Sequence, residues 1–251
     1  KKKKKKKKKK FVENSEEKKT EEENEVEKTE EELKKEEQLD KIKSGRFRFL
    51  NEQLYTIKSD EAFEMFKKDP QSFMAYHEGF AHQTKKWPNH PLRMIVQWLQ
   101  RQNSKKVVLD LGCGEAKIAE KIGDKHDVRS FDLVAVNERV TACDMAHLPV
   151  NHASADIVIF CLSLMGTNLS DFIKEARRVL KIGGILKIAE VTSRFVNPKQ
   201  FIDAICKLGF DLTERKNVTD YFIMMEFTKT GKETNKRPYG LILKPCLYKK
   251  R

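Results

Sequence analysis

The sequence predicts an α/β fold: a Rossmann-like sheet of five parallel strands that ends in an antiparallel hairpin and follows an N-terminal helical layer. An apolar run over residues 107–111 breaks into a turn with two glycines and then into helical apolar spacing, which is typical of a first strand–turn–helix unit. Apolar runs then alternate with helical stretches, which implies crossover connections between parallel strands. Residues 217–220 are too few for a crossover, so the last two strands must pair as a hairpin.

The first 45 residues have the composition of a disordered, Lys/Glu-rich tail. Ten lysines open the chain, and residues 11–45 contain almost no aromatic side chain. Such a segment buries too little apolar surface to offset its ordering entropy, so we expect disorder or a solvated, frayed helix. The remaining residues suffice for one core. We expect a helical layer at 46–104 and the sheet domain at 105–251, together forming one folded unit.

Four helical stretches precede the sheet. Phe47, Leu50 and Leu54 share one helical face, with arginines beside them. Another helix is expected from Asp60, the next from Pro70 with Asp69 as its cap, and the last from Pro91. Beyond them, strands are expected at 107–110, 128–132, 141–143, 157–162, 185–191, 210–216 and 221–229, and helices at 116–122, 170–180 and 198–208.

Charge and cysteine content limit the classes of function. The net charge is +13, most of it on residues 46–251, which favours a polyanionic partner such as nucleic acid over a lysine-rich bias of composition. No apolar run approaches the length of a membrane span and no signal peptide is recognisable, so no membrane association is expected. The five cysteines are far apart without a CxxC pair, which argues against a disulfide framework or a metal site.

The glycine turn predicts a nucleotide site without a phosphate cradle. A dinucleotide fingerprint reads G-x-G-x-x-G/A, and its sixth position here is Lys117. A Walker A loop would need Gly-Lys-Ser/Thr, which does not follow. What remains is D-x-G-x-G-x-A, which runs from Asp110 through Gly112 and Gly114 to Ala116. Glycine is required where the backbone turns tightly and approaches a ligand.

Two acidic positions make this a site for adenosine. Asp132 ends the next strand, where a carboxylate accepts hydrogen bonds from both ribose hydroxyls and would repel a 2′-phosphate. Asp144 and Met145 close the third strand, where a carboxylate accepts from the adenine amine and a thioether packs on the ring. An adenosine site without provision for phosphates points to S-adenosyl-L-methionine as the cofactor.

Further strings connect this pattern to a family. Residues 144–158 and 178–184 match passages of class I methyltransferases, with Ile182 in place of the usual proline. Other strings lie outside that generic fold: Arg46-Phe47-Arg48-Phe49-Leu50-Asn51-Glu52-Gln53-Leu54-Tyr55, Tyr76-His77-Glu78-Gly79-Phe80, Lys85-Lys86-Trp87-Pro88, Phe160-Cys161-Leu162-Ser163-Leu164-Met165-Gly166-Thr167-Asn168, Glu190-Val191-Thr192-Ser193-Arg194-Phe195 and Pro245-Cys246-Leu247-Tyr248-Lys249. With them, the region 46–251 resembles the ribosomal RNA-processing protein 8 family of class I S-adenosylmethionine-dependent methyltransferases.

The resemblance implies an enzyme of the nucleus and nucleolus that methylates N1 of an adenine in large-subunit ribosomal RNA. Ribosomal RNA is then its partner, and other nucleolar proteins are left open as partners. From its own surroundings in the sequence, His77 is expected to be a structural histidine, whereas the resemblance places it over the cofactor. The cofactor contacts that the resemblance implies are His77, Gly112, Asp132, Asp144, Met145 and Cys161.

Adenine N1 carries an in-plane lone pair, so its methylation releases no proton and we expect catalysis chiefly by positioning, without an obligatory general base. No catalytic residue is assigned.

Two alternatives stay open: a small-molecule methyltransferase of the same fold, and a nucleolar or chromatin-associated module that binds the cofactor without turnover. RNA phosphates are expected to contact basic residues at Arg46, Arg48, Lys85, Lys86 and 249–251.

Overall fold

The computed structural model of the chain describes residues 29–85, 87, 90–232, 234 and 239–248. Residues 1–28 and the basic positions Lys86 and 249–251 lie outside these ranges. The chain divides into two units, Lys1–Ile42 and Lys43–Arg251. Within the described ranges, no helix combines the length and apolar character needed to cross a membrane.

In the first unit, the described residues begin helix α1 (Glu30–Thr56). A capping box opens the helix: the Thr29 backbone N–H donates to Glu32 Oε2 at 2.9 Å, and the Glu32 N–H donates to Thr29 Oγ1 at 3.3 Å. Lys35 pairs with Glu31 one turn away at 3.0 Å. Residues 30–45, for which the composition predicts disorder or a solvated helix, are helical, and residues 31–43 are all exposed.

The second unit opens with a layer of helices, which consists of α1 from residue 43 onward, α2 (Ser59–Lys68), α3 (Pro70–Thr84) and α4 (Pro91–Gln100). The predicted cap of α3 is present, because the Asp69 side chain accepts from the Ser72 N–H at 3.2 Å and Pro70 occupies the first turn. Side chains from α1, α2 and α3 form one buried cluster, whose largest members are Phe47, Leu50, Leu54, Phe66, Phe73 and Tyr76.

All seven predicted strands are present in a single sheet: β1 (Val107–Leu111), β2 (Asp127–Asp132), β3 (Val140–Ala142), β4 (Ala155–Cys161), β5 (Leu180–Val191), β6 (Phe210–Asn217) and β7 (Phe222–Lys229). Their order is β3-β2-β1-β4-β5-β7-β6. Strands β1 to β5 pair in parallel, whereas β7 pairs antiparallel with both β5 and β6. The predicted sheet is confirmed, with β7 against β5 and β6 at the edge.

Helices cover both faces of the sheet. They are α4, already described, α5 (Lys117–Ile122), α6 (Leu169–Val179) and α7 (Pro198–Lys207), and a short 3-10 helix, Thr192–Arg194, follows β5. Leu109 packs in a cluster with residues of α6 and α7, whereas its neighbour Val108 packs in a second cluster with residues of α4 and α5. Because successive strand residues point to opposite faces, these two clusters are the two cores of a sheet covered on both sides.

The parallel register brings four strand ends together. Leu111, the last residue of β1, pairs with Phe131 of β2 and with Phe160 of β4. Asp132, the last residue of β2, pairs with Ala142, the last residue of β3. The glycine turn, both predicted adenosine-binding positions and the loop after β4 therefore emerge at one edge of the sheet, where open α/β sheets bind their ligands.

The packing of α3 against α1 depends on a glycine and can be tested. A Cβ built on Gly79 would lie 2.5 Å from Cγ and 2.6 Å from Cβ of the buried Phe47. We therefore expect Gly79→Ala to lower the free energy of unfolding by about 1–3 kcal/mol, because the ring must move within a packed cluster. Urea unfolding followed by circular dichroism measures this loss.

Gly231→Ala is the matched control, because a Cβ at Gly231 meets no atom within 4 Å. Its free energy of unfolding should stay within about 0.5 kcal/mol of the wild-type value. Equal unfolding midpoints for the two variants would contradict the close packing of α3 on α1.

Candidate active site

A cavity of about 400 Å³ lies at the edge where β1 to β4 end. Its floor is formed by the glycine turn and by residues that follow β2, β3 and β4. Its roof is formed by α1, α2 and α3, through residues that include Leu54, Phe66, Phe73 and Tyr76. This volume and the mostly apolar wall with a few polar groups are typical of small-molecule sites.

The glycine turn has a left-handed backbone and close neighbours. Gly112 has φ +71° and Gly114 has φ +58°, a region that favours glycine. A Cβ on Gly112 would overlap the Cβ of Ser163, and a Cβ on Gly114 would lie 3.2 Å from His77 Cε1. Gly112 therefore has no room for a side chain, and at Gly114 the histidine would have to shift, so at both positions the turn brings its backbone to the floor of the cavity.

Asp132 is fixed where the sequence predicts it. Its Oδ2 accepts from the Gly114 N–H at 2.6 Å, and its Oδ1 accepts from the Leu133 N–H at 2.8 Å. Burial raises the pKa of Asp132, while His77 and these two N–H donors act in the opposite direction. The carboxylate is thus held rigidly at the cavity wall and has lone pairs left for a ligand.

Asp110, at the end of β1, is a site residue that the sequence reasoning did not select. Its side chain is buried and lines the cavity, and its Oδ2 has no hydrogen-bond partner among the described residues. Burial, with a contribution from Asp132, raises the pKa of Asp110 to about 7. In the sequence, Asp110 is marked by its place as the first position of D-x-G-x-G-x-A. An aspartate with a purely structural role at the end of a strand can occupy the same position.

His77 lies in the roof, as the resemblance implies and the sequence alone does not. The imidazole lies on α3 with its ring centroid 4.2 Å from that of Phe73, directly above Gly114. Burial lowers the pKa of His77, while Asp132 and Glu115 act in the opposite direction. Its position therefore closes the cavity over the glycine turn.

Cys161 and Met145 also line the cavity, together with Cys143. Burial raises the pKa of the Cys161 thiol well above its usual range, and Asp110 and Glu190 raise it further. The thiol therefore stays protonated and is a poor nucleophile. These side chains offer a contact surface, in keeping with the predicted binding role of Cys161 and Met145.

Asp144 is the one predicted residue that the structure does not bring to the cavity wall. Its Oδ2 accepts from Ser59 Oγ at 3.0 Å, and its Oδ1 accepts from the Ala146 N–H at 2.9 Å. Asn168 Nδ2 donates to the same Ser59 Oγ at 2.8 Å. Sequence reasoning missed this arrangement because Ser59 comes from α2, far away in the chain.

The predicted phosphate contacts are only partly accessible. Arg46 Nη2 donates to Ser72 Oγ at 3.0 Å and lies 3.7 Å from Asp69, so it is engaged at the start of α3. Arg48 is half-buried and Lys85 is exposed. Two cations that the sequence reasoning did not select, Lys58 and Lys117, line the cavity itself.

The sheet order, the glycine turn after β1 and the acidic residue that ends β2 together define the fold of a class I S-adenosylmethionine-dependent methyltransferase. A sequence model of a family described as "Hypothetical methyltransferase" matches residues 32–251. The chain belongs to this family, and it is also similar to curated proteins named ribosomal RNA-processing protein 8.

Two relatives illustrate the similarity. "Ribosomal RNA-processing protein 8" of Caenorhabditis elegans is 67% identical over 215 residues, which cover 86% of this chain and 63% of that protein. The chain thus spans less than two thirds of the length of this relative. "25S rRNA (adenine(645)-N(1))-methyltransferase" of Schizosaccharomyces pombe is 44% identical over 224 residues, which cover 84% of this chain and 70% of that protein.

Among solved structures, the chain is similar to 1,6-didemethyltoxoflavin-N1-methyltransferase of Burkholderia thailandensis, which was solved with bound 1,6-didemethyltoxoflavin and S-adenosylhomocysteine. The TM-score is 0.52, the identity is 17%, and the match covers 64% of this chain and 86% of that chain. At this identity the similarity shows a shared fold.

Asp110 predicts an unusual dependence of stability on pH. Because its pKa is raised from 3.8 to about 7, the folded protein binds this proton more tightly than the unfolded chain does. The ligand-free protein should therefore lose stability as the pH rises from about 4 to about 7, by up to about 4 kcal/mol at about 1.4 kcal/mol per pKa unit. Asp110→Asn should remove this loss.

Chemical denaturation of both proteins at several pH values measures the effect. The difference in free energy of unfolding, Asp110→Asn minus wild type, should grow in favour of the variant up to about pH 7 and then level off. A difference that stays constant across this range would contradict the buried, unpartnered carboxylate.

Proposed function

We propose that this chain binds S-adenosyl-L-methionine and methylates N1 of an adenine in large-subunit ribosomal RNA, in ribosome biogenesis. One observation carries the proposal: Asp110, with an unpartnered oxygen, and Asp132, fixed by two backbone N–H groups, face one cavity at the glycine turn. The choice of substrate is supported by the S. pombe relative, whose name specifies N1 of an adenine in 25S ribosomal RNA.

The residues of the cavity fit both ends of this cofactor. Asp132 keeps lone pairs beyond the two N–H groups it accepts from, enough for two ribose hydroxyls. Cys143 and Met145 offer an apolar, polarizable surface to an adenine ring. Asp110 would accept from the ammonium group of the amino-acid end, which provides a partner for a buried carboxylate that otherwise has an unpaired oxygen.

When bound, S-adenosyl-L-methionine supplies an electrophilic methyl group on a sulfonium sulfur. The chain's own residues bind and orient the reactants, and His77, packed on Phe73 above Gly114, helps to exclude water. Adenine N1 presents its lone pair in the plane of the ring, so no side chain has to accept a proton. The Cys161 thiol is protonated, and the Asp132 carboxylate already accepts from N–H donors. Such a site is suited to catalysis by positioning of the reactants.

The target base must leave its helix before its N1 edge can reach an enclosed site. The apolar wall contributed by α2 and α3, with Phe66, Tyr76 and Phe80, offers a surface for a base that has been flipped out. Lys58 and Lys117 would attract the flanking phosphates, so RNA binding should weaken with salt. A ribosomal RNA substrate places the action of the protein in the nucleolus of the nucleus, where other nucleolar proteins are candidate partners.

Methyl transfer can be measured directly. Wild-type protein incubated with in vitro transcribed large-subunit ribosomal RNA and methyl-labelled cofactor should yield labelled 1-methyladenosine, detected by mass spectrometry of the nucleosides. Asp132→Asn should weaken cofactor binding at least tenfold, because the amide presents an N–H₂ donor where a carboxylate oxygen accepts from backbone and ribose.

Asp171→Asn, on the exposed surface of α6, is the matched control and should leave cofactor binding and methyl transfer unchanged. Label found only in small molecules would favour a small-molecule methyltransferase of this fold. Cofactor binding without any transfer would favour a binding module and would contradict the proposed activity.

The pH dependence should separate binding from chemistry. The cofactor's dissociation constant should rise as the pH falls below about 7, because protonation of Asp110 removes the negative charge opposite the ammonium group. The single-turnover rate constant, with RNA and cofactor saturating, should change less than about twofold between pH 7 and 9, since no base has to lose its proton. A tenfold rise per pH unit in that rate constant would reveal an obligatory general base.

A further inference from the structure

The loop after β4 begins with a strained residue at the cavity. Leu162 has φ +61°, a left-handed conformation that is uncommon for a residue with a branched side chain. It is held there because the Leu162 N–H donates to the Ala189 carbonyl of β5 at 2.9 Å. The next turn is closed by the Met165 N–H, which donates to the Ser163 carbonyl at 2.8 Å. Strain that the surroundings maintain in this way is typical of functional sites.

A buried ion pair clamps the same loop. The Leu164 N–H donates to Glu190 Oε1 at 3.2 Å, and the Leu164 carbonyl accepts from Arg194 Nη2 at 2.6 Å. Arg194 Nη1 lies 2.6 Å from Glu190 Oε2, and the two side chains are 3% and 1% exposed. Both backbone groups of Leu164 are therefore fixed by one charged pair, directly after Ser163.

The clamp is itself braced from two other parts of the chain. Arg194 Nε donates to the Lys244 carbonyl at 2.9 Å, and the guanidinium lies 4.8 Å from the centre of the Tyr55 ring on α1. The Lys244 N–H in turn donates to the Arg194 carbonyl at 2.7 Å. The loop after β4 is thus held between the C-terminal segment and the helical layer, with little freedom to shift.

Within this fixed loop, the Ser163 hydroxyl is left without a partner. Ser163 lines the cavity, and its Oγ is buried and makes no hydrogen bond to any described residue. Burying a hydroxyl without a partner costs free energy, so this arrangement is suited to a ligand that completes the hydrogen bond. Ser163 lies against Gly112, so its hydroxyl is at the floor of the site.

The strand order indicates which ligand the hydroxyl meets. In the proposed function, the amino-acid end of the cofactor meets Asp110 of β1 and the nucleoside end meets Asp132 and Met145, at the ends of β2 and β3. Of the predicted cofactor contacts at strand ends, only Cys161 belongs to β4. Ser163 follows β4, on the other side of β1. Because the sulfonium lies between the two ends of the cofactor, a methyl acceptor must approach from the side that those ends leave open, which is the side of β4.

We propose that Ser163 Oγ accepts a hydrogen bond from the exocyclic amine of the target adenine and so aligns the neighbouring N1 with the methyl group. This inference rests on the proposed function and adds to it the residue that orients the acceptor base. The bond between N1 and the methyl carbon forms as the bond between that carbon and sulfur breaks. The electron pair of the breaking bond goes to sulfur. Ser163 keeps its own proton throughout, and no other proton is transferred in this step.

Ser163→Ala tests this assignment. The variant should fold with a thermal midpoint no lower than that of the wild type, because it removes a hydroxyl that has no partner in the ligand-free protein. Its dissociation constant for S-adenosylhomocysteine, measured by calorimetry, should be unchanged. Its single-turnover rate constant on large-subunit ribosomal RNA should fall by about tenfold or more, through loss of the hydrogen bond and of the alignment.

Ser130→Ala is the matched control. Ser130 Oγ is also buried without a partner among the described residues, but Ser130 lies within β2 and does not line the cavity. This variant should keep both the wild-type affinity for S-adenosylhomocysteine and the wild-type rate.

A second substrate identifies the group that Ser163 meets. Once the methylated adenosine is mapped, a synthetic RNA carrying purine riboside there lacks the exocyclic amine. Without the amine, N1 is intrinsically a weaker nucleophile, which slows both proteins alike. Replacing the adenosine by purine riboside should therefore slow the wild-type protein about tenfold more than it slows Ser163→Ala, because only the wild type also loses the hydrogen bond.

The outcomes separate the two proposals. No transfer by wild-type protein would overturn the proposed function, and this inference with it. Wild-type transfer with an equally fast Ser163→Ala variant would overturn this inference alone. A loss of affinity for S-adenosylhomocysteine in Ser163→Ala that matches its loss of rate would assign the hydroxyl to the cofactor and likewise overturn the inference.

Discussion

The site depends on the close approach of two backbone segments, the turn after β1 and the loop after β4. Parallel pairing of Leu111 with Phe160 delivers both segments to the same edge, and the absence of a side chain at Gly112 lets Ser163 lie against it. A larger residue at 112 would push the loop away, and the left-handed φ of Gly112 disfavours one independently. One missing Cβ therefore sets the spacing between the two sides of the cavity that we propose for the cofactor and for the acceptor base.

The helical layer is fastened to this edge through polar contacts. Ser59, at the start of α2, donates to Asp144 after β3, and its backbone N–H donates to Asn168 Oδ1 at 3.1 Å. The Thr167 N–H donates to the Ile57 carbonyl at 3.1 Å. These bonds join the connection between α1 and α2 to the loops after β3 and β4. The layer is thus a built part of the cavity, which explains why His77 reaches the glycine turn.

Most of the fold could be predicted from the sequence, because its causes are local. Alternating apolar runs mark the strands, and the four residues 217–220 allow only a hairpin. The glycine turn and Asp132 follow from spacing along two neighbouring strands. Asp144 shows the limit of such reasoning: its place after β3 is as expected, but its carboxylate turns towards Ser59, 85 positions earlier in the chain. Side-chain direction depended on a tertiary partner that no local pattern reveals.

Three features at this edge of the sheet lower the free energy of unfolding: the buried carboxylate of Asp110, the left-handed backbone of Leu162 and the unpartnered hydroxyl of Ser163. Each lowers the stability of the ligand-free protein, and none is explained by packing. The Leu162 N–H bond to the Ala189 carbonyl holds the second, and the buried Glu190–Arg194 pair fixes Leu164, directly after Ser163. A ligand with a cationic end stabilises the carboxylate of Asp110, and an acceptor base with a donor group completes the hydrogen bond of the Ser163 hydroxyl. Binding free energy should thus depend on the same groups that destabilise the empty fold, so stability and ligand affinity are linked through them.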